Sequence, residues 1–267
     1  MLKNVLVKTL RDKRKSFFWW GIGVILLTIW YSMMFLTLDG LQGDISGINK
    51  MMESELIQGL LGGAYDLSTP TGWLGAELLP LLGPIIFIVF AVSFATSSLI
   101  GEEGKGTLDL LLTNPISRTS VYLQKFIAVF LGTLALGLVF WIGNIIGTTS
   151  ANMGLSLVSL GEVTFSLVLL GLLFGSLAMA IGGFTGKSGA GTGVASAVGI
   201  VSYLLNSMSE IVQSLKPFQP ASVFHYYDGG EVLQNGIDFG DVGILLAGTV
   251  VLFAIGMYGF QRRDIGT

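Results

Sequence analysis

The sequence predicts an all-α polytopic membrane protein: six transmembrane helices, an amphipathic interfacial helix at the N-terminus, and a short cytoplasmic helix between spans two and three. Composition carries the class. Only 12% of residues are charged and 52% are hydrophobic, with a mean hydropathy of +0.75, whereas a soluble domain is about 25% charged. Length carries the span count, since 267 residues suit a bundle of about six spans of roughly 20 apolar residues each. The distribution of basic residues carries the orientation. With Cys 0 there is neither a disulfide framework nor a thiolate metal site.

Residues 1–16 are basic, and the apolar run behind them is too long for a signal peptide and has no small-residue cleavage site. Leu2, Val5, Leu6, Thr9 and Leu10 recur at helical spacing among Lys3, Lys8, Arg11, Lys13, Arg14 and Lys15. That is the pattern of a helix lying in the headgroup layer, the alternative being a basic stub that only fixes topology.

The spans follow in order as one transmembrane domain over 17–260. The first, 17–38, opens on the interfacial aromatics Phe17, Phe18, Trp19 and Trp20. A polar loop to about Gly75 contains Ile48, Met51, Met52, Leu56, Leu60 and Leu61, spaced for a short amphipathic helix. The second span, 77–100, has Pro80 and Pro84 near its start, where a kink is expected. The third is 121–147 and the fourth 163–184. The fifth, 189–208, is rich in Gly, Ala and Ser and is expected to let neighbouring helices approach closely. The sixth, 242–260, leads into a short tail, 261–267.

With the termini, the loop after span two and the loop after span four on one side, that side collects Lys3, Lys8, Arg11, Lys13, Arg14, Lys15, Lys105, Arg118, Lys125, Lys187, Arg262 and Arg263. This is 12 of the 14 basic residues, against Lys50 and Lys216 opposite. The bias places that side, and both termini, in the cytoplasm of a cell inner or plasma membrane.

The cytoplasmic stretch from Gly101 to Arg118 interrupts an otherwise lipid-compatible chain. Glu102 and Glu103 follow the second span, Gly104 and Gly106 permit a turn, and Thr107 can cap a short helix bearing Leu108, Leu110, Leu111 and Leu112. Pro115 stops it, and Ser117 or Thr119 can cap the next helix, with Arg118 and Lys125 near the surface. A leucine-faced helix outside the membrane either docks in a groove of a partner or folds back on its own bundle.

The set Glu102, Glu103, Gly106, Thr107, Leu108, Asp109, Leu111, Leu112, Pro115, Ser117, Arg118 and Lys125 resembles the cytoplasmic signature of ABC type-2 transporter permeases, which usually have Glu in place of Asp109. The similarity extends to the basic N-terminal helix, to Trp73, Leu74 and Glu77 to Pro84, to the Gly-rich fifth span and to the segment from Pro217 to Gly236. It implies one half of an exporter that pairs with a second permease chain, identical or homologous, and with two cytoplasmic ABC ATPase subunits. In such an assembly the N-terminal helix and the loop helix would contact the ATPase, making Glu102, Glu103, Gly106, Thr107, Leu108, Leu111, Pro115, Arg118 and Lys125 the coupling interface. No cofactor is expected on this chain, ATP and Mg being held by the partner. Membrane lipid is an expected contact and nucleic acid is not. The expected cargo is hydrophobic or amphipathic: a drug, an antibiotic or a lipid-like molecule.

Other features read more plainly. Gly186, Lys187 and Ser188 end like a phosphate-binding loop, but the glycine required five positions upstream is Ile181 and no strand precedes it, so a tight turn is expected. His225, the only histidine, lies among Phe224, Tyr226 and Tyr227 and fits an aromatic belt better than a metal site. Glu77, Glu162 and Glu210 mark outer span ends, with an outer gate as the sharper reading. Asn144, Asn206, Thr96, Ser97 and Ser98 are expected to hydrogen-bond between helices. A membrane scaffold or sensor that recruits a cytoplasmic partner without transport is the alternative function. A membrane enzyme is weaker still, because no convergent set of His, Asp, Ser or Cys appears.

Overall fold

The computed structural model describes residues 5–39, 66–103 and 117–263, and every regular element among them is helical. Helix α1 runs Val5–Asp39. Helix α2, Pro70–Trp73, passes into a π-helical segment, Leu74–Leu82, and then into α3, Gly83–Glu103. Helices α4 (Arg118–Ser150), α5 (Leu157–Thr185) and α6 (Ser188–Ile211) follow. Two 3-10 segments, Gln213–Ala221 and Val223–Tyr226, lead to the short α7 (Gly229–Asn235) and the final α8 (Phe239–Arg262). Six of these stretches are long and apolar enough to cross a membrane, which matches the six spans read from the sequence.

The helices extend past the apolar runs because polar residues start them. Ser117 accepts a hydrogen bond from Ser120 N at 3.2 Å, Ser156 accepts from Val158 N and Ser159 N, and Asp238 accepts from Gly240 N at 2.6 Å. Each satisfies backbone N–H groups that the first helical turn leaves without partners.

From Val5 onward the N-terminal basic stretch runs without a break into the first span, as one helix α1. Lys and Arg are good helix formers, and neither Gly nor Pro interrupts the run before Gly21. Its 35 residues make roughly 52 Å at about 1.5 Å per residue, well over a hydrocarbon core of about 30 Å. Val5 and Thr9 are buried against protein, so this face packs on the bundle. In the aromatic cluster, Phe17 and Trp20 meet Phe90 edge-on while Phe18 and Trp19 stay exposed.

Where a kink is expected, at Pro80 and Pro84, the chain forms the π segment. Gly83 N donates to Leu78 O, the five-residue step of a wider helix. Trp73, at the entrance to this segment, stacks on Tyr31 of α1 with ring centroids 5.1 Å apart. Tyr31 Oη donates to Trp73 O and Trp73 Nε1 donates to Tyr31 O, each at 3.0 Å.

Helix α5 is the hub, packed against α3, α4, α6, α7 and α8. Small residues let the backbones meet, since lipid chains are as apolar as leucine and close packing must supply the attraction. A β-carbon at Gly171 would lie 3.1 Å from Phe87 O, and one at Gly183 2.7 Å from Gly256 O. Helix α1 packs chiefly on α4, where Gly143 and Gly147 face Thr28 and Ser32.

The close approach expected of the fifth span is present on one side of α6, where a β-carbon at Gly191 would lie 2.7 Å from Ala178 O of α5, and absent on the other. In α6, Gly189 and Gly193 have nothing within 4 Å, and 22% of its most apolar window is buried against 83% for α5. The polar groups inside the spans meet expectation in part, Asn206 Oδ1 accepting from Gln219 Nε2 at 3.5 Å. Asn144 Nδ2 donates to Phe140 O, Thr96 Oγ1 to Val92 O and Ser98 Oγ to Ala95 O, all within their own helices. A short side chain reaches the carbonyl one turn back more readily than a neighbouring helix. Thr192 Oγ1 does reach Thr96 Oγ1 at 3.5 Å, and Lys13 Nζ donates to Ser97 Oγ.

Candidate functional site

The bundle has a basic end and an acidic end. At the basic end lie the start of α1, the end of α3, the start of α4, the turn between α5 and α6, and the end of α8. Side chains tie these termini together. Leu6 N donates to Gln124 Oε1 at 3.1 Å, and Gln124 Nε2 donates to Ser120 Oγ at 2.9 Å, which joins α1 to the first turns of α4. Lys13 Nζ links α1 to Ser97 near the end of α3.

Arg118 opens α4 and reaches the end of α8, where its Nη1 donates to the carbonyls of Gln261 and Arg263. A helix C-terminus leaves carbonyls unpaired and carries partial negative charge, so a guanidinium satisfies both demands. Gln261 Nε2 returns a bond to Thr119 Oγ1 at 2.9 Å. Arg263 in turn donates to Gly182 O at 3.0 Å and Gly183 O at 3.4 Å at the end of α5. The two arginines thus chain α4 to α8 and α8 to α5.

The turn at Gly186, Lys187 and Ser188 is a helix stop and start. Gly186 has φ +68° as the left-handed cap of α5, and Lys187 precedes α6. Only a residue without a β-carbon adopts that conformation cheaply here, where Arg263 Nη1 would lie 2.7 Å from one.

Of the residues read as a coupling interface, Glu102 and Glu103 close α3, but their side chains lie outside the described residues. Gly106, Thr107, Leu108, Leu111 and Pro115 also lie outside them, as does the short amphipathic helix expected between residues 48 and 61. Arg118 is partly exposed and engaged with α8. Lys125 is fully buried in α4, away from the surface position expected for it. It lies two turns inside the helix, one turn beyond Tyr122, which is itself enclosed by Phe253 and Phe260 of α8. Sequence reasoning passed over Gln124, Gln261 and the chaining role of Arg263, because partners 80 to 142 residues away leave no local signal.

At the acidic end a cavity of 490 Å³ opens between α5, α6, the 3-10 segments, α7 and α8. Glu210, Asp228, Glu231, Asp238 and Asp241 line it together with His225 and Tyr226. His225 packs edge-on against Tyr226, with centroids 5.1 Å apart, in keeping with an aromatic setting. Among the described residues, no three His, Cys, Asp or Glu side chains are placed to hold a metal ion. A second, apolar cavity of 350 Å³ lies between α1 and α3, walled by Trp19, Trp20, Val24, Leu27 and Ile86.

With these features in place, the comparison with protein families is specific: a model described as ABC-2 family transporter protein matches residues 3–265. No curated protein matches the chain.

Proposed function

The chain belongs to the ABC-2 transporter family and is a multi-pass membrane permease, and from this premise we propose that it moves a hydrophobic or amphipathic substrate outward, driven by a separate ATPase. The basic end would be cytoplasmic, in line with the positive-inside rule. ATP and Mg would bind on two partner ATPase subunits, and a second permease chain would complete the pathway.

One observation carries the mechanism. The two helices that flank the connection where the resemblance puts the coupling helix are tied to others, α3 to α1 at Lys13–Ser97 and α4 to α8 at Arg118. A push on that connection is transmitted to α1 and α8, and through Arg263 to α5. ATP binding would favour the outward-open state only by the difference in its affinity for the two states. The apolar cavity between α1 and α3 supports a greasy cargo, since it offers no charged group to an inorganic ion.

The test is reconstitution in lipid vesicles with the ATPase. Replacing Glu102 and Glu103 with Ala should leave the permease inserted and abolish ATP-dependent transport of an amphipathic probe. Undiminished transport would remove the coupling role. Stable recruitment of a cytoplasmic partner without any transport would favour the scaffold instead.

A further inference from the structure

The acidic-end cavity has the chemistry of a binding site that the exporter reading does not assign. Of its five carboxylates, Asp228 caps α7 by accepting from Gly230 N and Glu231 N, and Asp238 caps α8. Glu210, Glu231 and Asp241 have no such duty and accept no hydrogen bond among the described residues. Among the described residues no Lys or Arg lines the cavity, and His225 is its one basic side chain.

Two further observations point to a ligand. Ser166 of α5 lines the cavity, is 5% exposed, and has no hydrogen-bond partner among the described residues. Its Oγ is not among the fully enclosed polar atoms, so the hydroxyl opens into the cavity, where a ligand can meet it. Glu210 sits on the last turn of α6, where the helix dipole disfavours an anion. Local stability does not explain a carboxylate there.

We propose that this cavity binds an organic cation carrying aromatic or alkyl substituents, as the last station of the cargo on its outward route. This rests on the exporter reading for the word cargo, and on the cavity alone for the binding. The volume of 490 Å³ is within the range of small-molecule sites, about 300–1,000 Å³. A divalent ion needs converging oxygens at about 2.0–2.6 Å, an arrangement that the described carboxylates do not form. A bulky cation has diffuse charge, accepts carboxylates at a distance, and places its apolar body against the Phe224 and Tyr226 rings that share the cavity. Ser166 would offer its oxygen to an ammonium N–H at the floor.

The test measures equilibrium binding of tetraphenylphosphonium and of a primary aryl-alkyl amine to the full-length protein in lipid nanodiscs. Saturable binding is expected, with neutral triphenylphosphine oxide failing to compete. Combining Glu210→Gln with Asp241→Asn should weaken both probes by about tenfold or more. Glu210→Gln alone should keep the fold, because it removes an anion from a helix C-terminus, and should weaken binding in the same direction. Ser166→Ala should weaken the amine by about threefold to tenfold and leave the phosphonium, which has no N–H, unchanged. Binding that ignores the carboxylate variants, or that millimolar calcium displaces, overturns the proposal. ATP-driven transport of a neutral amphipath without cation binding overturns it too, while the exporter reading stands. Carboxylate-dependent binding without ATP-driven transport supports the site and overturns the exporter reading.

Discussion

The hydroxyl of Tyr227 donates to the carbonyl of Leu79 at 2.8 Å across 148 residues of sequence, in the buried join between α7 and the π segment. In the wide helix that Gly83 N and Leu78 O define, the next donor toward Leu79 O would be the N–H of residue 84, and residue 84 is proline. Tyr227 replaces the bond that Pro84 cannot make. Gly229 makes room for it, since a β-carbon there would lie 2.6 Å from the tyrosine oxygen.

Tyr227→Phe should therefore strand a buried carbonyl and cost about 1–2 kcal/mol, read as a lower unfolding temperature in detergent. In a Pro84→Ala background, where an N–H can return to Leu79 O, the same change should cost less. Equal costs in both backgrounds would show that the two residues act independently.

The crossing of α1 and α4 makes a steric prediction. A β-carbon at Gly143 would lie 2.3 Å from Thr28 Oγ1, and one at Gly147 would lie 2.6 Å from Ser32 Oγ and 3.0 Å from Thr28 O. Gly147→Ala should destabilise by about 1–3 kcal/mol, the usual range for overpacking. Ser32→Gly should recover part of that loss, because the side chain in the way is gone. Absence of any rescue would mean that the backbone contact with Thr28 dominates.

Arg118 separates capping from docking. Arg118→Ala removes donors from two carbonyls at the end of α8. Partial exposure limits the loss to about 1 kcal/mol. Arg118→Lys keeps the charge but not the planar fork, so it should restore little of the stability. If the residue acts chiefly on a partner surface, lysine should instead restore ATPase association without restoring thermal stability. Co-elution of permease and ATPase, measured beside the unfolding temperature, distinguishes the two roles.

The six spans were legible because each is an apolar run longer than a soluble helix needs. Their ends were less so: Ser117 was readable as a cap, but Ser156 and Asp238 start helices from polar sequence beyond those runs. The continuity of α1 was hidden by its cations, which resemble an interfacial helix while favouring a helical backbone equally well. The fifth span was legible in part: its small residues do bring Gly191 against Ala178 O of α5, but which side of α6 a neighbour uses depends on the fold. The acidic cavity was the least legible feature. Ser166, Glu210 and Asp241 come from three separate helices, and only Glu210 attracted notice as an ionisable residue at a span end. Density of acids around His225 was the available signal, and read along the chain it resembles a solvated loop.

The uncovered face of α6 gives the last prediction. Gly191, Ala195 and Gly199 point inward and are buried or packed near Phe174, while Gly193, Ala197 and Ile200 are exposed on the other side. Helix α8 is equally uncovered, with 22% of its window buried, but its outward residues Val250, Val251 and Tyr258 are bulky. Without a hydrophobic drive between helices in lipid, a second chain gains most where backbones can come close. The first half of that outer face, Gly189, Gly193 and Ala197, is small, while Ile200, Val201 and Leu204 beyond it are bulky, so the first half of α6 is the expected seat of the second permease chain. The natural sequence has Cys 0, so single cysteines report without background. Gly193→Cys in lipid vesicles should form disulfide-linked dimers on mild oxidation, because a bridge requires α-carbons within about 7 Å. Val250→Cys should remain monomeric under the same oxidation. Efficient linkage at Val250→Cys with none at Gly193→Cys would move the second chain to α8.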